Sequence, residues 1–206
     1  MAHSQFTSPR LTRRVFGTTL LAGAALSVLP RPAQALDLAS ARALIDKAIA
    51  DVNKVINSGK AEAGMFRDFE AIFARYADVA AIARSALGPA SRSASPGQMK
   101  AFTTAYQGYI GRKYGRRFRE FIGGRIEVVD AKPLKSYFEV ISVAHLQGEA
   151  PFDLRWHVSN KSGRDLFFNI IIEGVNMLAS EREEVGAMLK KRGGDIDALI
   201  ADLKSA

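Results

Sequence analysis

The sequence contains no cysteine among its 206 residues. Disulfide bonds and thiolate chemistry are therefore excluded, and packing alone has to hold the folded chain together. Histidine is also scarce, because only His145 and His157 lie beyond the first 35 positions. The sequence has no G-x-S-x-G motif, no H-E-x-x-H motif and no phosphate-binding glycine loop. These absences argue against hydrolase, metalloprotease and nucleotide-binding functions.

The few chemically active side chains have simple structural interpretations. His145 and His157 fall on separate predicted strands and could share a zinc ion with Asp153 or Glu139 as a third ligand. Positions on the polar face of a strand explain both histidines more simply. Glu173, between an apolar strand and a turn, is interpreted as an acceptor of backbone N–H groups rather than as a catalytic acid. The sequence accordingly predicts no enzyme activity, no metal and no cofactor.

Acidic residues are absent from the first 35 positions, which hold four arginines. Arg13-Arg14 precedes the apolar run Thr18–Leu29, and Ala33-Gln34-Ala35 follows that run. A basic start, a short apolar centre and an A-x-A end are typical of a secretory signal, and the run is too short to span a bilayer. The paired arginines before Val-Phe favour twin-arginine export over an ordinary secretory signal. We therefore expect residues 1–35 to be a signal peptide and residues 36–206 to be a single domain in the periplasm.

Basic residues exceed acidic residues by 29 to 21 over the whole chain. Beyond the first 35 residues the balance is 25 basic against 21 acidic residues, a net charge of +4. Such a charge fits contact with anionic lipid headgroups, and an exported protein is not expected to bind nucleic acid. The densest basic cluster is Arg112, Lys113, Arg116, Arg117 and Arg119. It is interpreted either as a contact for phosphate or an anionic membrane, or as a solvated helix face.

The second half of the chain has the pattern of a β-sheet. Apolar and polar residues alternate in Phe152–Val158, which is the period of a half-buried antiparallel strand. Leu166–Ile172 is apolar on both faces except at Asn169, so helices or a ligand must cover both faces. Arg125–Ala131 and Ser136–Gln147 also have strand character, and short connections join all four segments. The sequence predicts a four-stranded antiparallel meander.

Apolar residues at helical spacing precede and follow these strands. The predicted helices cover residues 38–56, 60–76, 78–87, 96 to about 122, 180–192 and 195–203. Ser95 and Pro96 supply the cap and the first residue of the fourth helix. Gly108, Gly111 and Gly115 weaken that helix and predict a bend or a division into two helices. The order of elements predicts an α+β fold, with helices packed against an antiparallel sheet.

Several short motifs resemble the MlaC family, the auxiliary proteins of lipid ABC transporters that are also called toluene-tolerance proteins. The motifs are Ala86-Leu87-Gly88, Ser95-Pro96-Gly97-Gln98 with Phe102, Tyr114, Trp156, Ile172-Glu173-Gly174-Val175-Asn176-Met177, and a helix with Glu184 and Gly186. The Glu173-Gly174-Val175 segment is similar to the end of the family's last strand, with Asn176 where serine is usual. The resemblance extends from about Leu36 to the end of the sequence.

This resemblance implies a periplasmic phospholipid carrier whose sheet and helices enclose a deep apolar pocket for acyl chains. The implied partners are an outer-membrane lipoprotein complex and an inner-membrane ABC transporter that carries an MCE-domain protein. The lipid would be cargo rather than a cofactor. Some family members occur near hopanoid biosynthesis genes, so a hopanoid or another polycyclic lipid is an alternative cargo. A second alternative is a docking module of a membrane complex, with a solid core and no lipid.

For a lipid carrier, the sequence predicts which side chains contact the cargo. Lipid tails are expected to meet apolar residues of the central strands and the flanking helices, namely Phe102, Tyr106, Phe152, Leu154, Trp156, Ile170, Ile172, Val175 and Met177. The headgroup is expected near the pocket mouth, beside Arg112, Arg116 and Arg117. Glutamate in place of Phe152 or Val175 should then abolish lipid binding in a folded protein.

Overall fold

The computed structural model describes residues 36–206, apart from the side chains at positions 118 and 119. The signal peptide predicted for residues 1–35 lies outside the described residues. Among the helices of the described range, none has the length and apolar character that a membrane crossing requires.

Within the described residues, six α-helices follow the predicted order. They are α1 (Leu38–Ile56), α2 (Glu62–Tyr76), α3 (Val79–Leu87), α4 (Pro96–Arg117), α5 (Met177–Lys191) and α6 (Ile196–Ser205). Short 3-10 turns follow α3 at Gly88–Arg92 and α4 at Phe118–Phe121. Four helices therefore come before the sheet in the chain and two come after it.

The sheet of the described residues has five strands, not the four that were predicted. They are β1 (Arg125–Pro133), β2 (Phe138–His145), β3 (Phe152–Ser159), β4 (Leu166–Ile172) and β5 (Val175–Asn176). Each strand pairs antiparallel with its neighbours in sequence, so the predicted meander is confirmed.

The additional strand results from a tight turn at the end of β4. Glu173 and Gly174 have φ angles of 50° and 80°, both in the left-handed region. Two successive residues in that region form the two-residue turn that best fits the twist of a hairpin. The chain consequently folds back on itself, and Ile172 pairs with Val175.

The inward face of the sheet confirms the alternation seen in the sequence. Leu154, Trp156 and Val158 of β3 are buried. Trp156 pairs with Val140 on one side and with Ile170 on the other. Its indole N–H donates to the Ser142 hydroxyl oxygen at 2.9 Å, so the polar atom of this buried ring has a partner.

Helix α4 begins as the sequence predicts. The Gln98 backbone N–H donates to the Ser95 hydroxyl oxygen at 3.1 Å, and the Ser95 backbone N–H donates to the Gln98 side-chain oxygen at 3.0 Å. These reciprocal bonds form a capping box, which satisfies two backbone donors that a helix N-terminus otherwise leaves without partners.

The three glycines of α4 do not divide it, because the helix runs without interruption for 22 residues. Two of them let α2 approach closely instead. A Cβ atom at Gly111 would lie 2.9 Å from the Glu70 Cβ, and one at Gly115 would lie 2.5 Å from the Phe66 ring. The missing side chains on α4 thus create the space into which α2 packs.

We expect Gly111→Ala to lower the free energy of unfolding by about 1–3 kcal/mol, because the added methyl group overpacks the contact with α2. Urea unfolding of purified protein would measure the change. Gly186→Ala is the matched control, since a Cβ atom at this α5 glycine would meet no atom within 4 Å. That variant should gain up to about 1 kcal/mol from better helix propensity. Equal gains in both variants would refute the packing role of Gly111.

Candidate functional site

An apolar cavity of about 280 Å³ lies among the helices and the inward face of the sheet. Its floor includes Phe152, Leu154 and Trp156 of β3 together with Ile170 and Ile172 of β4. The Trp156 and Phe167 rings of this surface pack edge to face with centroids 5.2 Å apart. The cavity offers a ligand mainly hydrocarbon and aromatic contacts.

Most of the apolar residues predicted to contact a ligand line this cavity. The structure brings together Tyr106, Phe152, Leu154, Trp156, Ile170, Ile172 and Met177. They come from α4, β3, β4 and the first residue of α5. The hairpin and the two flanking helices therefore converge on one space, as the sequence pattern indicated.

Phe102 and Val175 have other positions, which corrects two of the predicted contacts. Phe102 is fully buried in the core and stacks on Tyr106 with ring centroids 5.7 Å apart, so it supports a lining residue without lining the cavity itself. Val175 is 54% exposed, because it lies on the edge strand β5, which has no further strand beside it.

Helices α1 and α2 form a part of the wall that sequence reasoning missed. Ile49 and Val52 of α1 and Phe69 and Phe73 of α2 line the cavity. Their helical spacing is visible in the sequence, but it predicts only an amphipathic helix. An amphipathic stripe has the same spacing whether it faces a filled core or a cavity, so the signal could not distinguish them.

The mouth of the cavity is charged. Four exposed residues belong to its lining, namely Arg117, Glu120, Glu149 and Glu173. Arg117 is the last residue of α4 and Glu120 follows it, Glu149 lies between β2 and β3, and Glu173 lies between β4 and β5. Of the three arginines predicted near a headgroup, Arg117 therefore lies at the mouth. Arg116 is exposed and does not line the cavity.

Arg112 is engaged elsewhere, which corrects its predicted contact with a headgroup. Its guanidinium donates from Nε to the Ala206 backbone oxygen at 2.7 Å and from Nη2 to the Leu203 carbonyl oxygen at 2.6 Å. These bonds join α4 to the last turn of α6, where carbonyl oxygens have no partners within their own helix. Arg112 is consequently a structural residue.

Lys113 also points to a partner within the fold. Its Nζ atom lies 2.6 Å from Glu181 Oε1 and 2.5 Å from Glu184 Oε2. The Tyr114 hydroxyl donates to Glu181 Oε1 at 2.6 Å, and the Tyr109 hydroxyl donates to Glu184. Although burial acts to raise the pKa of Glu184, hydrogen bonds from Lys113 and Tyr109 lower it. This network binds α5 to α4 beside the cavity.

A profile of the family described as "MlaC protein" matches residues 44–205 of the chain. The match begins within α1 and covers the other helices, the sheet and the whole lining of the cavity. The chain belongs to the MlaC family.

A solved structure supports the MlaC fold. The phospholipid-binding protein from Ralstonia solanacearum, determined in complex with a phospholipid, superposes with a TM-score of 0.68 at 19% sequence identity. The match covers 80% of this chain and 95% of the Ralstonia chain. The two proteins share a fold, including the antiparallel sheet packed against helices.

The two histidines of this MlaC family member are not neighbours. His157 pairs with Glu139 across β3 and β2, and His145 lies six residues further along β2, about 20 Å away. His157 Nε2 lies 3.5 Å from Glu139, whereas His145 Nε2 lies 3.0 Å from Glu127. Within residues 36–206, no three His, Asp or Glu side chains are grouped to hold a metal ion. The zinc arrangement considered from the sequence is not formed by these residues.

His157 makes stability depend on pH. Burial lowers the pKa of this histidine below its usual 6.5, although Glu139 acts to raise it. As the pH falls, His157 is therefore protonated more readily in the unfolded chain than in the folded one. The folded state loses free energy of unfolding as the pH drops from 6.5 towards the pKa of His157 in the folded state. We expect His157→Gln to lose less stability than the wild type between about pH 7 and about pH 5. Urea midpoints at both pH values would test this, and parallel losses would refute it.

Proposed function

We propose that this protein is a periplasmic carrier that holds the acyl chains of a phospholipid in the cavity. The observation that carries the proposal is an apolar cavity between the sheet and the helices of an MlaC fold. Small-molecule sites are typically concave and mostly apolar, with a few polar groups that orient the ligand. The lining of this cavity fits that description.

The energetics of lipid transfer explain why a carrier needs such a cavity. Each methylene group removed from water contributes about 0.8 kcal/mol, so acyl chains cannot cross an aqueous compartment uncovered. Transfer from the bilayer interior to an apolar protein cavity is nearly neutral, because both surroundings are apolar. Loading and release can then be decided by modest differences in the binding free energies of partner proteins.

Membership of the MlaC family supports a place for this carrier between two membranes. The Ralstonia protein of the same fold is described as phospholipid-binding and was solved with a phospholipid. We propose that this chain likewise moves phospholipid between an outer-membrane lipoprotein complex and an inner-membrane ABC transporter with an MCE-domain protein. In this role the protein is a binding protein rather than an enzyme.

The charged mouth suggests how a phospholipid would be oriented. Its tails would extend into the space lined by Phe152, Trp156 and Ile170, while its headgroup would remain at the exposed end. Among the side chains that the structure describes, Arg117 is the cationic one at the mouth. We therefore propose that Arg117 faces the phosphate. The cavity volume of about 280 Å³ is just below the range of typical ligand pockets, which is roughly 300–1,000 Å³. We expect the helices to move outward when a two-chain lipid enters.

A pair of glutamate variants tests whether the cavity is the binding site. Phe152→Glu places a charge on the cavity floor, and an uncompensated charge among apolar groups costs several kcal/mol. We expect this variant to retain less than about one tenth of the wild-type lipid while remaining folded.

Val175→Glu is the matched control for Phe152→Glu. It introduces the same charge at an exposed position of the same sheet, outside the cavity lining. Lipid content is measured by mass spectrometry of an organic extract, and circular dichroism verifies the fold. Equal lipid in the two folded variants would place the binding site elsewhere.

The lipid content of the wild-type protein tests the proposal itself. Protein expressed from the full chain and purified without detergent should yield phospholipid in about equimolar amount on organic extraction. A hopanoid in its place would assign a different cargo to the same cavity. An extract without lipid, repeated after incubation with phospholipid vesicles, would favour the docking-module interpretation.

A further inference from the structure

Two polar atoms beside the cavity are buried without a hydrogen-bond partner in the described part of the chain. They are the hydroxyl oxygen of Tyr106 and Oε2 of Glu181. Both residues line the cavity, with exposures of 0% for Tyr106 and 3% for Glu181. Buried polar atoms of folded proteins almost always have a partner, so two exceptions at one cavity require an explanation.

The neighbouring polar side chains form hydrogen bonds with other groups and not with these two atoms. Glu181 Oε1 is bonded to Lys113 Nζ and to the Tyr114 hydroxyl, both at 2.6 Å, while Oε2 receives no bond. Tyr109 donates to Glu184. Burial raises the pKa of Tyr106 and the charge of Glu181 raises it further, so the hydroxyl stays protonated and lies within the field of that carboxylate.

Tyr106 lies deep in the cavity, far from its mouth. Tyr106 precedes Arg117 by eleven residues on the continuous helix α4, a distance of about 16 Å along the helix axis. Most of the other lining residues are apolar, and Phe69, Ile110 and Trp156 are among them. A polar group of a ligand at this depth would belong to its tail rather than to its headgroup.

We infer that Tyr106 and Glu181 form a polar subsite for the hydroxyl group of a lipid that is hydroxylated within its apolar part. A hydroxyl suits both atoms, because it can accept from the Tyr106 hydroxyl and donate to the Glu181 carboxylate. A plain acyl chain offers neither bond, and an ester carbonyl offers only an acceptor. The inference rests on the proposed function and names the class of lipid that the cavity selects.

The experiment compares stearic acid with three hydroxystearic acids, whose hydroxyl lies near the carboxyl end, at mid-chain or near the methyl end. Each displaces a fluorescent fatty acid from delipidated protein. We expect the wild type to bind at least one isomer with a distant hydroxyl about tenfold more tightly than stearic acid, as hydrogen bonds to a buried charged group allow. Equal affinity for all four, or binding of none by protein that still takes up phospholipid from vesicles, would overturn the inference and leave the lipid carrier intact. Binding of neither fatty acid nor phospholipid would overturn the proposed function.

Tyr106→Phe removes the unpartnered hydroxyl and keeps the ring. This variant should be at least as stable as the wild type in urea, because no hydrogen bond within the described residues is lost. It should also reduce the preference for the hydroxylated chain to about twofold or less, while stearic acid binds as before.

Tyr109→Phe is the matched control, since its hydroxyl bonds to Glu184 and its side chain does not line the cavity. It should keep the full preference for the hydroxylated chain. An undiminished preference in Tyr106→Phe, or an equal loss of preference in both variants, would overturn the subsite.

Discussion

The cavity depends on how closely α2 can approach α4. Gly111 and Gly115 remove two side chains from the contact, so the backbone near Glu70 and the ring of Phe66 occupy that space. Packed helices usually lie 8–10 Å apart, and glycine allows the shorter separations of that range. The close contact makes the two helices one wall, from which Phe69 and Tyr106 line the cavity together. The cavity is therefore open above the sheet, while the contact between α2 and α4 closes the wall between these two helices.

The sequence predicted the fold where a repeating pattern was present. Period-two alternation identified the central strands, and Ser95 with Gln98 marked the start of α4. Strand β5 was missed because two residues are too few to show a period; its existence depends on the left-handed turn at Glu173 and Gly174. The glycines of α4 were interpreted as weak points, because the atoms that a Cβ would meet belong to another helix and cannot be read from α4 alone.

The candidate site was predictable on its strand side and less so on its helical side. Inward positions of β3 and β4 follow from alternation, whereas Arg112 was misassigned because its partners lie 91 and 94 residues away in sequence. No pattern in the sequence predicted that one oxygen of Glu181 would be buried without a hydrogen-bond partner. In the sequence this residue is an acid near the start of a helix, a common and usually solvated position. Its burial arises only when α5 packs against α4.

The meander has a consequence for the order in which the molecule can come apart. Strands β1 to β5 pair with their neighbours in sequence, so the sheet closes short loops and loses little chain entropy in forming. The helices α4, α5 and α6 are instead joined by contacts between distant segments of the chain. Lys113 of α4 forms an ion pair with Glu181 of α5, and Arg112 of α4 donates to backbone oxygens at the end of α6. Amide protons of the covering helices should therefore exchange through smaller openings than those of the central strands. A cargo could enter through such an opening while the sheet remains folded.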